Sequence, residues 1–368
     1  MRIERLKLLN YRNFKEQEIF FNPEVNVIRG KNAQGKTNLL EAIYLFSTGK
    51  SYRPAGEKDL IRFGCDSFYL GMDFINEDYS YNGEFKVTCD GKKEISFNKI
   101  PLSKNSLLSE YFKTVLFCPE EIEIIKGEKE LRREFLDDSI SVLRPNYVKI
   151  LRDYNKCLKQ KNTLLKKGSP REISMMIDIW NQRMTEYGSR LFMYRGSFIK
   201  MLEEYAKEKM EELTDGKEKL TIKYVPSVSL RDINDVEKIK EDFREKTDRL
   251  KNAEIEKMQA LTGPHRDDVE FLINKKNVKL FGSQGQQRSV IICLKLAMTE
   301  IIKDRTGSYP VLLLDDIMSE LDKKRQSYLT EKIKGKQTII TCTGASGLRK
   351  RKKSFFFTVD DGKIKKED

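Results

Sequence analysis

A single short segment restricts the fold more than any other part of this chain, because it follows the pattern G-x-x-x-x-G-K-[ST] of phosphate-binding loops. The β-branched residues at 25–28 before it are typical of a buried strand, and residues 37–47 after it carry apolar side chains at helical spacing. Strand, glycine-bearing loop and helix in this order predict an α/β nucleotide-binding domain. The segment consists of Gly30, Lys31, Asn32, Ala33, Gln34, Gly35, Lys36 and Thr37.

The residue types in this loop suit the binding of a triphosphate. Gly30 and Gly35 allow backbone conformations that a Cβ atom would forbid, so that successive N–H groups can turn towards a phosphate. The helix that follows adds the positive end of its dipole. Lys36 can reach the β- and γ-phosphates, and the Thr37 hydroxyl can ligate Mg²⁺. The loop therefore predicts ATP and Mg²⁺ as cofactors. A chance match is the alternative, and the flanking strand and helix disfavour it.

The charge of the chain favours a polyanionic partner. The net charge is +13 and the isoelectric point is near 9.2, which makes nucleic acid the first candidate. A lysine- and glutamate-rich surface with a modest basic excess is the alternative interpretation. One histidine and six scattered cysteines without a C-x-x-C pair argue against a zinc site.

The hydropathy of the chain argues against an integral membrane protein. The mean hydropathy is −0.60 and 35% of the residues are charged. No apolar run reaches the roughly 18 residues that a membrane-spanning helix needs. The charged residues among the first seven positions do not fit a signal peptide. We therefore expect a cytoplasmic protein that has no membrane partner.

Changes in composition predict a nucleotide-binding domain in two parts around a helical insert. Residues 1–118 contain the phosphate-binding loop and an antiparallel subsheet. Residues 119–257 are charged and poor in glycine, which predicts an all-helical arm domain. Residues 258–368 return to strand-like, glycine-bearing sequence. The predicted fold is of the α/β class, with mixed sheets and an inserted all-helical domain.

Two local patterns predict supersecondary structure within these segments. Alternating apolar residues over 68–98 predict antiparallel strands, with turns at 82–83 and 90–91. In the insert, apolar residues recur every three or four positions over 151–165 and 173–205, separated by a short turn that contains glycine and proline. Two long amphipathic helices joined in this way predict an αα-hairpin with an apolar core.

Two carboxylates end the most apolar strand of the C-terminal part. Residues 311–314 are four aliphatics, and Asp315 and Asp316 follow them directly. Unpaired charges beside such a strand are costly, which favours a functional role over a structural one. We expect this strand to lie beside the strand that precedes the phosphate-binding loop and to deliver its first acid to Mg²⁺. A small polar loop that begins at Ser283 opens an apolar helix and predicts a second anion site.

Three further features leave two interpretations open. Arg53, in a basic loop after the first helix, either faces phosphate or DNA or belongs to an ordinary surface loop. His265, beside Pro264, is better explained as a hydrogen-bonded turn residue than as a catalytic base or a metal ligand. The basic run at 349–353 either binds phosphates without sequence preference or is a solvated surface.

Together these motifs resemble those of an ABC-type ATPase. The phosphate-binding loop, the loop at 283–286, the strand end at 315–316 and the segment 319–322 match its Walker A, signature, Walker B and D-loop in order. A helical insert between Walker A and Walker B resembles the SMC-related branch. Within that branch the chain is similar to the bacterial RecF family, from residue 1 to about 359. The motifs that carry this similarity are YRNF at 11–14, GKNAQGKTNLLEA at 30–42, TGPHRDD at 262–268 and SQGQQR at 283–288.

The resemblance implies that ATP is bound between two copies of the chain. In ABC-type ATPases two subunits sandwich two ATP molecules, and the signature loop of one closes on the γ-phosphate held by the other. Ser283, Gly285 and Gln286 would therefore contact ATP held by the partner. Asp322, in the D-loop, would couple the two sites across an ATP-dependent homodimer.

The resemblance also implies roles in hydrolysis. Thr37 and Asp315 would hold Mg²⁺, and Lys36 would act on the phosphates. Asp316 would orient or deprotonate the attacking water. Asp316 stands where most members have a glutamate, Gln284 replaces the first signature glycine, and Cys342 follows a strand after which many members place a histidine. These departures, with no convincing Q-loop glutamine, predict slow hydrolysis that DNA stimulates.

The family's role implies the partners. RecF proteins act with RecO and RecR at gaps and junctions between single- and double-stranded DNA, where they help to load the RecA recombinase. An SMC-like chromosome-organising ATPase is the alternative function, and the short insert argues against it. A transporter subunit is disfavoured by the helical insert and the basic charge. A small-molecule kinase would leave the signature and D-loop matches unexplained.

Overall fold

The computed structural model describes residues 1–343 and 354–367, which fall into two compact units. The first unit contains residues 1–121 and the described residues from 292 onwards, and the second contains residues 122–291. The predicted domain boundaries at 118/119 and 257/258 stay a prediction. The basic run at 349–353 lies outside the described residues.

The helices and strands are as follows, in chain order. The N-terminal part of the first unit contains β1 (Arg2–Tyr11), β2 (Phe14–Phe20), β3 (Val25–Arg29), α1 (Lys36–Thr48), β4 (Ser67–Asn76), β5 (Tyr79–Thr88), β6 (Lys93–Phe97), β7 (Ile100–Pro101), α2 (Leu108–Tyr111) and β8 (Thr114–Phe117). The second unit contains α3 (Glu123–Lys126), α4 (Lys129–Leu143), α5 (Pro145–Lys167), α6 (Pro170–Thr214), β9 (Leu220–Val225), α7 (Val236–Glu256), β10 (Asp268–Ile273), β11 (Lys276–Asn277) and α8 (Val278–Phe281). The chain continues with α9 (Gln284–Thr306), β12 (Val311–Leu314), α10 (Lys323–Lys332), β13 (Thr338–Cys342), β14 (Ser354–Asp360) and β15 (Lys363–Lys366).

A mostly parallel sheet in the first unit carries the phosphate-binding loop. Its strand order is β15-β14-β3-β13-β12-β8, and only β15 runs antiparallel to its neighbour. The expectation that β12 would lie directly beside β3 is wrong, because β13 lies between them. Both β12 and β13 are buried throughout. Hydrophobicity alone therefore did not distinguish which of the two is adjacent to β3.

The antiparallel sheet of the first unit has the order β2-β1-β4-β5-β6-β7. The predicted turn at 90–91 is confirmed, since Gly91 has a positive φ of 90° and its N–H donates to Thr88 O at 2.8 Å. The predicted turn at Asn82-Gly83 is wrong, because both residues lie inside β5. A Cβ atom at Gly83 would lie 2.7 Å from the ring of Phe97, so close packing against an aromatic ring accounts for this glycine.

Helix α1 is packed between aromatic and aliphatic side chains of the first unit. Leu39, Leu40 and Ile43 are fully buried. Phe46 lies edge-on to Phe85 of the antiparallel sheet, with ring centroids 6.1 Å apart. This apolar packing fixes the helix whose first turn is the end of the phosphate-binding loop.

The second unit contains the predicted αα-hairpin. Helices α5 and α6 are joined at Gly168-Ser169, and α6 is 45 residues long. The Ser169 hydroxyl accepts from the N–H of Glu172, whose carboxylate accepts from the N–H of Ser169, so a capping box begins α6. The prediction of an entirely helical insert did not anticipate β9, which pairs antiparallel with β10. The six residues of β9 form a strand because they pair with β10, which follows the predicted insert in the sequence.

Candidate nucleotide-binding site

The phosphate-binding loop is held in place by Asn13, in the turn between β1 and β2. Its side-chain amide donates to Gln34 O at 2.8 Å and accepts from the Asn38 amide at 2.8 Å. Gly35 has a φ of 115°, and a Cβ atom there would lie 2.7 Å from the Asn13 side chain. Gly35 is therefore required both for its backbone conformation and for this close approach. Sequence reasoning did not assign a role to Asn13, although it lies in the YRNF motif.

The hairpin between β14 and β15 supports the loop from another side. Gln34 Oε1 accepts from the N–H of Asp361 at 2.6 Å. A Cβ atom at Gly30 would lie 2.5 Å from Val359 O, so only glycine lets β14 pass this close to the loop. The left-handed conformation of Ala33, with a φ of 65°, adds a local backbone strain of about 1 kcal/mol. The loop conformation is thus imposed by its surroundings.

Lys36, the first residue of α1, points its ammonium group into the loop. Its Nζ donates to Gly30 O at 2.7 Å and to Lys31 O at 2.9 Å. Burial lowers the pKa of Lys36, and the carboxylates of Asp316 and Asp315 oppose this effect. A buried ammonium encircled by the loop is the arrangement that suits a phosphate ligand.

The two predicted metal ligands meet although they are 278 residues apart in the sequence. Thr37 Oγ1 donates to Asp315 Oδ1 at 3.1 Å, and Asp315 is 6% exposed. Two oxygens bound at right angles to one Mg²⁺, each 2.0–2.1 Å from it, lie about 3 Å apart. The hydroxyl and carboxylate therefore fit a Mg²⁺ ion, which would neutralise negative charge on bound phosphates.

Two residues that sequence reasoning missed complete the surroundings of Asp315. Thr341 Oγ1, at the end of β13, donates to Asp315 Oδ1 at 2.7 Å. Tyr52 Oη, in the basic loop after α1, donates to Asp315 Oδ2 at 2.9 Å. Burial, with the charge of Asp315 next, raises the pKa of Tyr52 and keeps its hydroxyl protonated. No motif marked either residue, because each acts through a hydroxyl that only the fold brings to the acid.

Asp316 adopts a left-handed backbone conformation, with a φ of 49°. Its N–H donates to Thr341 Oγ1 at 2.9 Å, and its carbonyl oxygen accepts from the Ser319 hydroxyl at 2.7 Å. A non-glycine residue in this region costs about 1 kcal/mol or more and is often found at functional sites. The two acids that follow β12 therefore have different environments, with Asp315 buried and Asp316 partly exposed.

Glu41, on the second turn of α1, is buried and binds two arginines. It accepts from Arg12 Nη2 at 2.8 Å and from Arg53 Nη2 at 2.6 Å. Burial alone would raise the pKa of Glu41, but the hydrogen bonds from the arginines and Ser51 outweigh it and lower the pKa to about 2. Arg53 also donates to Asn38 Oδ1 at 2.6 Å. The residue considered as a phosphate or DNA contact thus belongs to an ion pair network beside the loop.

The predicted signature loop belongs to the second unit and has its own hydrogen bonds. The N–H of Ser283 donates to Gln286 Oε1 at 2.9 Å, and the N–H of Gln286 donates to Ser283 Oγ at 3.2 Å. This reciprocal pair caps the first turn of α9. Ser283 and Gln284 are exposed, and Gly285 and Gln286 are partly exposed. The Ser283 side chain and the start of α9 are therefore accessible to solvent, and their contact with ATP stays a prediction.

Asp322 caps α10 in the first unit. Its carboxylate accepts from the N–H of Arg325 at 2.9 Å and forms an ion pair with the Arg325 guanidinium. These interactions lower the pKa of Asp322, with the backbone hydrogen bond contributing most. Its role in coupling two sites stays a prediction.

The TGPHRDD motif forms a buried ion pair network in the second unit. The guanidinium of Arg195, on α6, donates to Asp267 Oδ2 at 3.0 Å and to both carboxylate oxygens of Asp137 on α4, at 2.9 and 3.0 Å. Arg195 is 2% exposed and also donates to Pro264 O at 2.6 Å. His265 Nδ1 lies 2.7 Å from Tyr154 Oη, which bears out its interpretation as a hydrogen-bonded turn residue.

Replacing His265 with glutamine should remove part of the acid sensitivity of the second unit. Burial lowers the pKa of His265 to about 4, below the value of about 6.5 in an unfolded chain. The unfolded chain therefore binds the proton more readily, and this stability is lost as the pH falls from about 6.5 towards 4. We expect the wild type to lose ~1–2 kcal/mol more than His265→Gln between pH 7 and pH 5. Urea unfolding followed by the fluorescence of Trp180, the single tryptophan, measures this.

Asp267 changes the pH dependence of stability in the opposite direction, and it is present in both the wild type and His265→Gln. Burial raises the pKa of Asp267 to about 6, so its contribution to stability increases as the pH falls from about 6 to its unfolded value near 4. The contribution of Asp267 therefore cancels when the pH dependence of the variant is compared with that of the wild type. Equal pH dependence in wild type and variant would contradict the assignment to His265.

Comparisons with known proteins agree with the family that the motifs resemble. A family model described as "RecF/RecN/SMC N terminal domain" matches residues 2–365. A protein of Acetivibrio thermocellus, named DNA replication and repair protein RecF, is 42% identical over 344 residues, which cover 93% of each chain. The chain belongs to the RecF family. A RecF protein of Clostridium tetani is 39% identical and spans 98% of this chain and 99% of its own length.

One solved structure agrees with this family assignment, and a second shares the fold. A structure described as the recombination mediator protein RecF-ATP in the RecFOR pathway has a TM-score of 0.92 and 35% identity, and covers 100% of this chain and 98% of its own. The Smc head domain of Pyrococcus furiosus has a TM-score of 0.57 at 18% identity, and covers 100% of this chain and 96% of its own. The predicted ABC-type, SMC-like head fold is confirmed. Among the described residues, no helix combines the length and apolarity needed to cross a membrane.

Proposed function

We propose that this RecF-family chain is an ATP-dependent DNA-binding recombination mediator. ATP binding would join two copies around DNA at gaps or junctions, where the dimer acts with RecO and RecR to help load RecA. The observation that carries this proposal is the meeting of Thr37 and Asp315 at 3.1 Å beside the ammonium of Lys36. It supports a Mg²⁺–ATP site, and the ATP named for the solved RecF relative supports the same ligand.

Each residue of the site has a role in this function. The loop from Gly30 to Thr37 would bind the phosphates, with Lys36 compensating their charge. Thr37 and Asp315 would hold Mg²⁺, which neutralises negative charge on the phosphates when it is bound. Asp316 would accept a hydrogen bond, or a proton, from the attacking water.

The proposed dimer gives roles to the predicted site residues that lie outside the phosphate-binding loop. Ser283, Gly285 and Gln286 would contact the γ-phosphate of ATP held by the other copy, through a hydroxyl and the N-terminus of α9. Asp322 would couple the two sites. Binding energy from ATP would then favour the closed dimer, and hydrolysis would release it. The net charge of +13 favours DNA as the clamped ligand.

Hydrolysis is proposed to be slow and stimulated by DNA. The side chain of Asp316 is one methylene shorter than the more usual glutamate, and Cys342 ends β13 where many ABC-type ATPases place a histidine. Cys342 is buried. ATP binding, rather than its turnover, would then set the oligomeric state. The alternative of an SMC-like chromosome organiser is disfavoured because α5 and α6 meet at a two-residue turn instead of extending to a hinge.

Sedimentation of the purified protein tests the proposal. The wild type should be monomeric alone, dimerise with the slowly hydrolysed analogue ATPγS, and dimerise more tightly when gapped duplex DNA is added. Lys36→Ala should remain monomeric under all three conditions, since it removes the ammonium that donates to the loop carbonyls of Gly30 and Lys31. Lys15→Ala, which removes an exposed lysine of β2, is the control and should behave as the wild type. An oligomeric state that ignores both nucleotide and DNA would refute the proposal.

A further inference from the structure

The carboxylate of Asp315 accepts three hydroxyl hydrogen bonds within the first unit. Oδ1 accepts from Thr37 Oγ1 at 3.1 Å and from Thr341 Oγ1 at 2.7 Å. Oδ2 accepts from Tyr52 Oη at 2.9 Å. Thr37 is a proposed metal ligand, whereas Tyr52 and Thr341 have no role in the function described so far. Both are therefore candidates for residues that act through Asp315.

Tyr52 is itself fixed by packing against α1. Its ring lies edge-on to that of Tyr44, with centroids 5.4 Å apart and planes at 84°. Its hydroxyl also lies 3.4 Å from Thr37 O, so it is close to both proposed metal ligands, Thr37 and Asp315. A tyrosine hydroxyl held in this way donates to Oδ2 and restricts rotation of the carboxylate about its terminal torsion.

Thr341 connects the two acids that follow β12. A hydroxyl has one proton, and here it is donated to Asp315 Oδ1, while the oxygen accepts from the N–H of Asp316 at 2.9 Å. Thr341 is fully buried, and its neighbour Cys342 is buried as well. Its single hydroxyl therefore orients the side chain of one acid and the backbone of the other.

We propose that Tyr52 and Thr341 are positioning residues for Mg²⁺-dependent ATP binding, with Tyr52 orienting Asp315 alone and Thr341 orienting both Asp315 and Asp316. This inference rests on the proposed function. Because the two residues touch different sets of atoms, their removal has different consequences. Loss of Tyr52 Oη frees Oδ2 and weakens metal binding. Loss of Thr341 Oγ1 also releases the N–H of Asp316 and disturbs the residue that orients water.

Titration with Mg²⁺ tests the role of Tyr52 without relying on activity. Binding of a fluorescent ATP analogue is measured at increasing Mg²⁺ concentration and in EDTA. Tyr52→Phe should raise the Mg²⁺ concentration for half-saturation about 10-fold, the scale on which groups that orient metal ligands act. Its affinity for the analogue in EDTA should equal that of the wild type.

Tyr69→Phe is the matched control. Tyr69 Oη donates to Glu84 Oε1 at 3.0 Å within the antiparallel sheet of the same unit, so this variant also loses a tyrosine–carboxylate hydrogen bond. It should titrate with Mg²⁺ as the wild type does. A wild-type midpoint for Tyr52→Phe, or an equal shift in Tyr69→Phe, would overturn the inference and leave the proposed function intact.

The Thr341 variants separate the two roles. Thr341→Val keeps the shape of the side chain but loses the hydroxyl, and should both raise the Mg²⁺ midpoint and slow single-turnover hydrolysis about 10-fold at saturating Mg²⁺. Thr341→Ser should restore both. At saturating Mg²⁺, Tyr52→Phe should lose less of the hydrolysis rate than Thr341→Val, because it leaves the hydrogen bond from the N–H of Asp316 to Thr341 intact. If Tyr52→Phe and Thr341→Val behave alike at saturating Mg²⁺, the proposed division of roles is wrong. A wild type that binds no nucleotide with Mg²⁺ would instead overturn the proposed function.

Discussion

Asp316→Asn is expected to slow single-turnover ATP hydrolysis about 100-fold or more while ATP still binds and joins two copies of the chain. Asparagine has the same shape as aspartate but cannot take a proton from water. It also tolerates the left-handed conformation that Asp316 adopts, with a φ of 49°, so the backbone should keep its hydrogen bond to Thr341. The measurement is hydrolysis of radiolabelled ATP with protein in excess, with and without gapped DNA.

Dimerisation supplies the second readout for this variant. Because Lys36, Thr37 and Asp315 are intact, Asp316→Asn should sediment as a dimer with ATP itself, whereas the wild type slowly returns to monomer as ATP is consumed. Glu331→Gln removes an exposed carboxylate of α10 and is the control that should match the wild type. Hydrolysis by Asp316→Asn within about threefold of the wild type would show that another group orients the water.

Arg195→Met is expected to lower the free energy of unfolding of the second unit by about 3–5 kcal/mol. The methionine fills much of the same volume, but Asp137 and Asp267 lose the cation that both of them bind, and Pro264 O loses its charged donor. Removing one partner of a buried ion pair leaves the other charge without compensation, which costs more than the pair contributes when intact. Urea unfolding followed by Trp180 fluorescence measures the loss, since both residues lie on α6.

Arg190→Met is the matched control on the same helix. Arg190 pairs with Glu186 at 2.9 Å, but both side chains are nearly half exposed. Exposed pairs one turn apart contribute less than about 1 kcal/mol, so this variant should unfold close to the wild type. A similar stability for Arg195→Met and Arg190→Met would mean that the buried network does not hold the second unit together.

The local sequence predicted those parts of the site that depend on neighbouring residues. The phosphate-binding loop was recognised from glycines at 30 and 35 and from a lysine and a threonine at the start of a helix. These motif residues all lie within eight consecutive positions. In the same way, helical periodicity predicted α5 and α6, and four aliphatics before two acids predicted β12.

Local patterns failed where a partner from elsewhere in the chain decided the outcome. The pair Asn82-Gly83 has the composition of a turn, but the ring of Phe97 on the neighbouring strand explains the glycine. Residues 220–225 form β9 because β10 lies beside them. Arg53 lies in a basic loop, yet the buried carboxylate of Glu41 binds it.

The sequence by itself determined that this protein has a phosphate-binding loop, two consecutive acids at the end of a buried strand, and a helical hairpin between these two motifs. Each of these features follows from the preferences of consecutive residues. Only the tertiary structure decided that β13 separates β12 from β3, and that Tyr52 and Thr341 donate to Asp315. Strand order and hydroxyl contacts depend on which buried surfaces pack together. Equally apolar strands, and hydroxyl groups found throughout the chain, carry no local signal of that choice.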